Sequence, residues 1–449
     1  MVGSKHHDPI YTVVNRFSLS TLLLLLLIVL PEVSISTSLA IHKQSWHSIY
    51  LARIGFFTYA DLVIFVLVGI LLFDSCFRRE SLPIGQFSFL IIFYAIYLIL
   101  GSFFNSYLQF SIKAFLYDCK SILYFVIPYF LMIKASKKIL LHISSEKLIL
   151  YCLWAIFIAT FISSGIDKFI VSILDLRSEY PTEFFGIPLL LNPVSAPICM
   201  SILLLEKRKM FFGLALLGTF YSLVCAYGMV KLGLVFQFGN FFLFCIFIFF
   251  LDFLRLKGLR CWIILYWFAV CSIQIFLIFD IFSILDGVKS SGRNIRLDEI
   301  RSFIDNIGYY FSPLLGQGFG ATWLQTSQDG ATSIYATGSV FSEGSIRFIW
   351  HNVLGGVFFK AGVIAPFVIL FLSIQQIEKF GYETGSTKLM FVCMAVFLIE
   401  CFPVIVGPGE LKVGVFAGMF LGCISGCLSY GKEQNSVCEL SKSPVPIVR

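Results

Sequence analysis

The sequence has little charge. Asp, Glu, Lys and Arg make up only 13% of the 449 residues, against roughly 25% in soluble domains. Hydrophobic residues make up 58%, so the composition of a water-exposed surface is missing. The apolar residues occur in runs of about 17 to 25, the length that crosses a hydrocarbon core of about 30 Å. We therefore predict a single all-α bundle in a membrane, because only helices and closed barrels satisfy their backbone in lipid.

Several catalytic and metal-binding motifs are also missing. There is no C-x-x-C pair, Walker motif, H-E-x-x-H or G-x-S-x-G, and no convincing outward acidic cluster, so we expect neither a metal nor a cofactor. The 13 cysteines lie mostly in apolar runs, where we interpret them as small packing residues. The net charge of +7 is spread over short clusters between these runs, which favours a membrane protein over a nucleic-acid partner.

The apolar runs predict about twelve transmembrane helices. The first resembles a secretory signal but lacks a clean cleavage site, so we interpret it as an uncleaved span. The fourth is the weakest, because Lys113, Asp118 and Lys120 interrupt it. The predicted spans are 17–37, 55–73, 84–104, 110–133, 148–166, 188–205, 211–227, 234–252, 261–282, 352–377, 389–406 and 413–430.

The distribution of Lys and Arg predicts the orientation. With the N-terminus inside, the cytoplasmic segments carry 19 of these residues and the short outer loops carry 6. Positive residues concentrate on the cytoplasmic side of membrane proteins. We therefore expect both termini to be cytoplasmic.

One connection is much longer than the others. Residues 283–350 form an outer loop of about 68 residues between the ninth and tenth predicted helices, and long loops are usually functional. Within it, residues 294–310 have the apolar spacing of a short amphipathic helix. We treat residues 1–449 as one transmembrane domain, with the presumed active site in this loop.

Two groups of residues in or beside the loop could carry chemistry. His351, next to Asn352, lies where the loop meets the tenth span and could act as a general base or hold a phosphate. The alternative is an interfacial histidine with no task. Arginines could bind phosphate oxygens through paired hydrogen bonds, although the near-neutral loop could also hold them in local ion pairs. The basic residues concerned are Lys289, Arg293, Arg296, Arg301 and Arg347.

A lone lysine and a glycine-rich segment are further candidates. Lys231 lies in a short outer turn and could meet a lipid pyrophosphate or simply reach the head groups. Gly316, Gly318 and Gly320 have the wrong spacing for a dinucleotide fingerprint. They favour a tight turn, which could aim backbone N–H groups at an anion.

Charges and small residues inside the spans have structural explanations. Asp118 could pair with Lys113 or Lys120, and Lys360 with Glu400 across helices; a proton or ion path is the alternative. Asp61 is a further charge of this kind. The last span carries glycines at four-residue spacing, which favours close helix packing over a dimer interface. These glycines are Gly414, Gly418, Gly422 and Gly426.

Together these features resemble the bacterial O-antigen ligase and O-antigen polymerase superfamily. The resemblance covers residues 296–362: an arginine-bearing helix, the run SPLLGQGFG at 312–320, a variable segment, His351-Asn352, and Gly362 opening a new span. Two positions depart from the family pattern. Ala365 stands where ligases usually carry Gly, Thr or Tyr, and Lys231 stands where the family tends to place an arginine.

The resemblance implies a metal-independent glycosyltransferase of the bacterial inner membrane. Such proteins move a glycan from undecaprenyl pyrophosphate to an acceptor at the periplasmic face, alongside the flippase and chain-length regulator of the pathway. Arg301, Arg296 and Lys231 would bind the pyrophosphate, with Arg347 a weaker choice. His351 would deprotonate the acceptor hydroxyl or hold the phosphate. Ala365 favours a repeat-unit polymerase over a ligase that joins polymer to lipid A–core. A twelve-span transporter is the alternative class, although the two halves show no similarity.

Overall fold

The chain is described here from a computed structural model. The structure describes residues 61–62, 64–69, 86–105, 110–173, 183–184, 187–188, 196–230, 315–324, 346–347, 359–362, 364–402 and 411–442. Predictions that fall elsewhere, including the spans at 17–37, 234–252 and 261–282 and the amphipathic helix at 294–310, lie outside these residues.

Helices dominate the described part of the chain. Two antiparallel ladders of two-residue strands, β1 with β2 and β3 with β4, are its only sheets. In chain order, the elements are α1 (Gln86–Asn105), α2 (Ile112–Ile139), α3 (Ser145–Ile173), β1 (Glu183–Phe184), β2 (Ile187–Pro188), α4 (Ala196–Leu205), α5 (Lys209–Val230), β3 (Trp323–Leu324), β4 (Ile346–Arg347), α6 (Ile364–Thr384), α7 (Thr387–Val396), a π-helical turn (Phe397–Cys401) and α8 (Leu411–Lys442).

The helical, membrane-embedded class is supported by the described helices. Four of them are long and apolar enough to cross a membrane, at 114–139, 145–162, 364–384 and 414–431. The fourth predicted span, weakened in the sequence by its charges, is one continuous helix, α2. Ser111 begins it by accepting a hydrogen bond from the N–H of Ala114. The count of twelve spans stays a prediction.

Two predicted spans have different boundaries in the structure. The span at 188–205 is wrong at its first residue, because Pro188 lies in β2; its described helical part is α4, Ala196–Leu205. The span at 352–377 is interrupted at Gly362, whose φ of +66° no continuing helix adopts. Helix α6 begins just after it, at Ile364.

The glycines of α8 pack against α2, so the packing explanation is confirmed. A Cβ at Gly418 would lie 3.2 Å from the Pro128 Cβ, and one at Gly422 would lie 2.6 Å from the Tyr129 carbonyl oxygen. The helices are therefore close enough that only glycine fits at these points. The Tyr129 hydroxyl also hydrogen-bonds the Ser425 hydroxyl across the interface at 2.9 Å.

A buried carboxylate stabilises the turn between α4 and α5. Glu206 is 8% exposed. It accepts hydrogen bonds from the Trp154 indole N–H, from the backbone N–H groups of Lys207 and Arg208, and from the Arg208 guanidinium. The guanidinium also lies over the Phe211 ring, 4.1 Å from its centroid. The hydrogen bonds from Arg208, outweighing burial, lower the pKa of Glu206 to about 2.

Candidate functional site

The glycine-rich segment forms a tight turn buried in the helical bundle. Gly316, Gly318 and Gly320 have φ angles of +74°, +77° and +77°, which L side chains rarely adopt. All three glycines are buried, as are Gln317 and Phe319 between them. The predicted tight turn is therefore confirmed. We call residues 315–322 the glycine turn.

The close approach of other backbones explains why side chains are absent at these positions. A Cβ at Gly318 would lie 2.6 Å from the carbonyl carbon of Gly101 in α1. A Cβ at Gly316 would lie 2.5 Å from the Lys360 carbonyl oxygen. Contacts this short cannot be relieved by moving a side chain, because the opposing atoms belong to backbone. The glycine turn is thus wedged between α1 and the segment 359–362.

Four successive N–H groups of the glycine turn have acceptors inside the protein. Gln317 and Gly318 donate to the carbonyls of Phe359 and Lys360, both at 2.8 Å. Phe319 donates to the Leu98 carbonyl of α1 at 3.1 Å, and Gly320 donates to Asp118 Oδ2 of α2 at 2.9 Å. These hydrogen bonds connect the turn to three separate parts of the chain.

The acceptors of the glycine turn are also used. The Gly320 carbonyl accepts from the N–H of Ser111, the residue that caps α2, at 2.9 Å. The Tyr97 hydroxyl of α1 donates to the Leu315 carbonyl at 2.7 Å. Phe110 and Ala321 form an isolated antiparallel bridge beside them. The turn and the N-terminus of α2 are therefore one hydrogen-bonded unit.

A buried ion pair lies at the end of this unit. The Lys360 ammonium donates to both carboxylate oxygens of Asp118, and both residues are 0% exposed. Asp118 Oδ2 also accepts the Gly320 N–H. Because an unpaired charge in such a place costs several kcal/mol, neither residue can lose its partner without a large penalty.

A second ion pair lies further along α2. Lys120 pairs with Asp61 at 2.9 Å, and the Tyr124 hydroxyl donates to Asp61 Oδ1 at 3.0 Å. The predicted pairings are thus wrong in their partners: Asp118 pairs with Lys360 instead of Lys113 or Lys120, and Lys360 pairs with Asp118 instead of Glu400. Glu400 lies in the π-helical turn at the end of α7. The expectation that intramembrane charges are paired is confirmed for these two pairs.

The strand pair β3–β4 closes the variable part of the predicted outer loop. Trp323, one residue beyond the glycine turn, lies opposite Arg347 in an antiparallel register, and Leu324 lies opposite Ile346. Leu324 and Ile346, which flank the variable segment, are therefore neighbours. Arg347 is brought back beside the glycine turn, four residues before His351 in the sequence.

The structure describes only part of the predicted site. It gives the three glycines and the backbone of Arg347. The other predicted site residues lie outside the described residues and stay predictions: Lys231, Arg293, Arg296, Arg301, His351 and Asn352. The N–H groups of Gly318 and Gly320 already have protein acceptors, so contact of these glycines with a substrate also stays a prediction.

Three residues of this unit were not among the predicted site residues. Asp118 and Lys360 carried a signal in the sequence, since a charge inside an apolar run is costly and needs a reason. Their pairing across 242 positions had no local signal. Tyr97 carried none at all, because it lies in an ordinary apolar helix.

Taken together, the apolar helices and the buried ion pairs define a helical, membrane-embedded protein. The chain matches no family model, no curated protein and no solved structure.

Proposed function

We propose that this protein is a membrane glycosyltransferase that polymerises polysaccharide repeat units carried on undecaprenyl pyrophosphate. One observation carries the proposal. The two halves of the motif, the glycine turn and the segment that follows His351-Asn352, are hydrogen-bonded to each other through Gln317 to Phe359 and Gly318 to Lys360. These halves are separated by a variable segment, and nothing in helix packing alone requires them to meet.

The strand pair adds support from the other side of the motif. Because β3 and β4 hold Trp323 opposite Arg347, the chain re-enters this region shortly before His351. A loop whose two ends are paired in this way suits a cover over a growing glycan, because both ends are fixed at one place.

The proposed reaction is a glycosyl transfer. An acceptor hydroxyl attacks the anomeric carbon of the lipid-linked glycan while the bond to the pyrophosphate oxygen breaks. His351 accepts the hydroxyl proton, and undecaprenyl pyrophosphate leaves with the bonding electrons. Arg301, Arg296 and Lys231 stabilise the negative charge that develops on the leaving group. Arg293, Arg347 and Asn352 are further substrate contacts in this scheme.

Complementation of a deletion strain tests this function. We expect His351→Ala and Arg301→Ala to reduce the lipopolysaccharide ladder on a gel to a single capped repeat. Lys289→Ala removes a cation of the same loop that the reaction scheme above does not use; it is the matched control, and we expect it to keep the ladder. Loss of all polymer from the core, with lipid-linked polymer still present, would identify a ligase. A normal ladder in His351→Ala and Arg301→Ala, together with loss of the ladder in Glu400→Gln, would favour a transporter.

A further inference from the structure

The hydrogen bond between Asp118 and Gly320 joins a transmembrane helix directly to the glycine turn. Among the described residues, Asp118 is the only side chain that accepts a hydrogen bond from the N–H groups of residues 317–320; the other three acceptors are backbone carbonyls. An acceptor on a side chain can be changed by substitution, whereas a carbonyl cannot. Asp118 is therefore the point at which the position of the turn depends on residue identity.

Lys360 contributes to the same arrangement in two ways. Its backbone carbonyl accepts the N–H of Gly318, and its side chain reaches the carboxylate that holds Gly320. One residue thus holds the turn at two places two residues apart. Lys360 also lies nine positions after His351, so the same residue connects the turn to the segment that carries the proposed base.

We propose that Asp118 and Lys360 are positioning residues that hold the glycine turn against α1 and the segment 359–362, and that an oxygen acceptor for the Gly320 N–H at position 118 is what the positioning requires. The ammonium of Lys360 keeps the buried carboxylate charged and oriented. A neutral side chain of the same shape with an oxygen acceptor can replace Asp118 if Lys360 is made neutral as well. This proposal rests on the proposed function for its consequence, but its structural content is independent of it.

Two double variants separate the acceptor from the charge. In Asp118→Asn with Lys360→Met, the pair is neutral, the Asn side-chain carbonyl still accepts the Gly320 N–H, and Met fills the space of the lysine stem. In Asp118→Lys with Lys360→Asp, the charge-swapped pair, the two charges change places and still balance. Lysine has no acceptor, so the Gly320 N–H loses its partner at position 118.

Hydrogen exchange of the full-length protein in lipid nanodiscs reads the turn directly. We expect peptides covering residues 315–322 to keep their protection in the neutral pair. In the charge-swapped pair the amide hydrogens of these peptides should exchange roughly tenfold faster or more, as expected for loss of a hydrogen bond to a charged group. Peptides from α8, at 414–430, should keep their protection in both variants. The single variant Asp118→Asn, which leaves Lys360 charged and buried without its carboxylate, should lose protection throughout the bundle.

The second ion pair provides a matched control on the same helix. Asp61→Asn with Lys120→Met neutralises the pair that binds the Tyr124 hydroxyl, and protection at 315–322 should not change. The proposal is overturned if the neutral pair loses protection at 315–322 or fails to fold. It is also overturned if the charge-swapped pair stays protected at 315–322 or loses protection in α8 as well. Loss of protection at 315–322 in the control variant would overturn it too.

The lipopolysaccharide gel is read separately in the same strains. We expect strains with the neutral pair to make polymer and strains with the charge-swapped pair to make none. The exchange pattern decides whether Asp118 and Lys360 hold the turn, and the His351→Ala and Arg301→Ala gels decide whether the protein is a transferase. The expected exchange pattern in a protein whose His351 is dispensable would leave the positioning intact and reject the transferase.

Discussion

Replacing Gly318 by alanine should be among the most damaging single-methyl changes in the described part of the chain. The residue has a φ of +77°, which costs an L side chain about 1 to 2 kcal/mol. The new Cβ would also lie 2.6 Å from the carbonyl carbon of Gly101 and 2.8 Å from the Ser102 Cα. Backbone atoms of a packed helix cannot give way as a side chain does, so overpacking adds about 1 to 3 kcal/mol. The expected loss of stability is about 2 to 5 kcal/mol.

Two other glycines isolate the two causes. Gly385 has a φ of +64° but nothing within 4 Å of an added Cβ, so Gly385→Ala should show the backbone cost alone, about 1 to 2 kcal/mol. Gly101 faces Gly318 from the other side. A Cβ there would lie 3.4 Å from the Gly318 Cα, which is ordinary contact, and alanine favours a helix interior by up to about 1 kcal/mol.

Thermal unfolding of the purified full-length variants, followed by size exclusion or intrinsic fluorescence, gives the comparison. The melting temperature should fall most for Gly318→Ala, less for Gly385→Ala, and little or not at all for Gly101→Ala. If Gly318→Ala lowers the melting temperature no more than Gly385→Ala does, the turn is not packed tightly against α1. If Gly101→Ala lowers the melting temperature as much as Gly318→Ala does, a methyl group at Gly101 has less space than the 3.4 Å contact implies.

The remaining predictions concern the scaffold. In α8, Gly422→Ala should lower the melting temperature by placing a methyl group against the Tyr129 carbonyl, whereas Gly414→Ala, whose Cβ would meet nothing closer than 3.8 Å, should be tolerated. Glu206→Gln should weaken the α4–α5 turn by roughly 1 to 2 kcal/mol at neutral pH. Since the pKa of Glu206 falls from 4.5 to about 2 on folding, this contribution is complete above about pH 4.5 and disappears as the pH falls towards 2. Unfolding of wild type and Glu206→Gln should therefore differ at pH 7 and converge towards pH 2.

The helices were predictable because a long apolar run has few other outcomes in lipid. The predicted span at 84–104 differs from α1, Gln86–Asn105, by at most two residues at either end. The strand position of Pro188 also had a signal, since proline cannot donate a backbone hydrogen bond within a helix. The apolar average over 188–205 outweighed this residue, and the prediction is wrong there for that reason.

The pairing of charges was predictable in kind but not in detail. A buried carboxylate needs a cation, and Lys120 was the neighbour two positions away from Asp118 in the sequence. On a helix, however, residues two apart point in different directions, about 200° apart. Asp118 therefore faces Lys360 while Lys120 faces Asp61. Helical geometry excluded the local pair, but the identity of the distant partners depends on tertiary packing that no local pattern contains.

The glycine turn shows how a predicted outer loop can become part of the helical core. Non-helical backbone is tolerated at membrane depth only where protein satisfies it, because lipid offers no hydrogen bonds. In the turn, the donors from Gln317 to Gly320 are all satisfied, three by carbonyls and one by Asp118. A carboxylate can enter the bundle for this purpose only with a cation beside it, which Lys360 supplies. The buried glycine turn therefore depends on a side-chain acceptor at position 118, and a charged acceptor there depends in turn on Lys360.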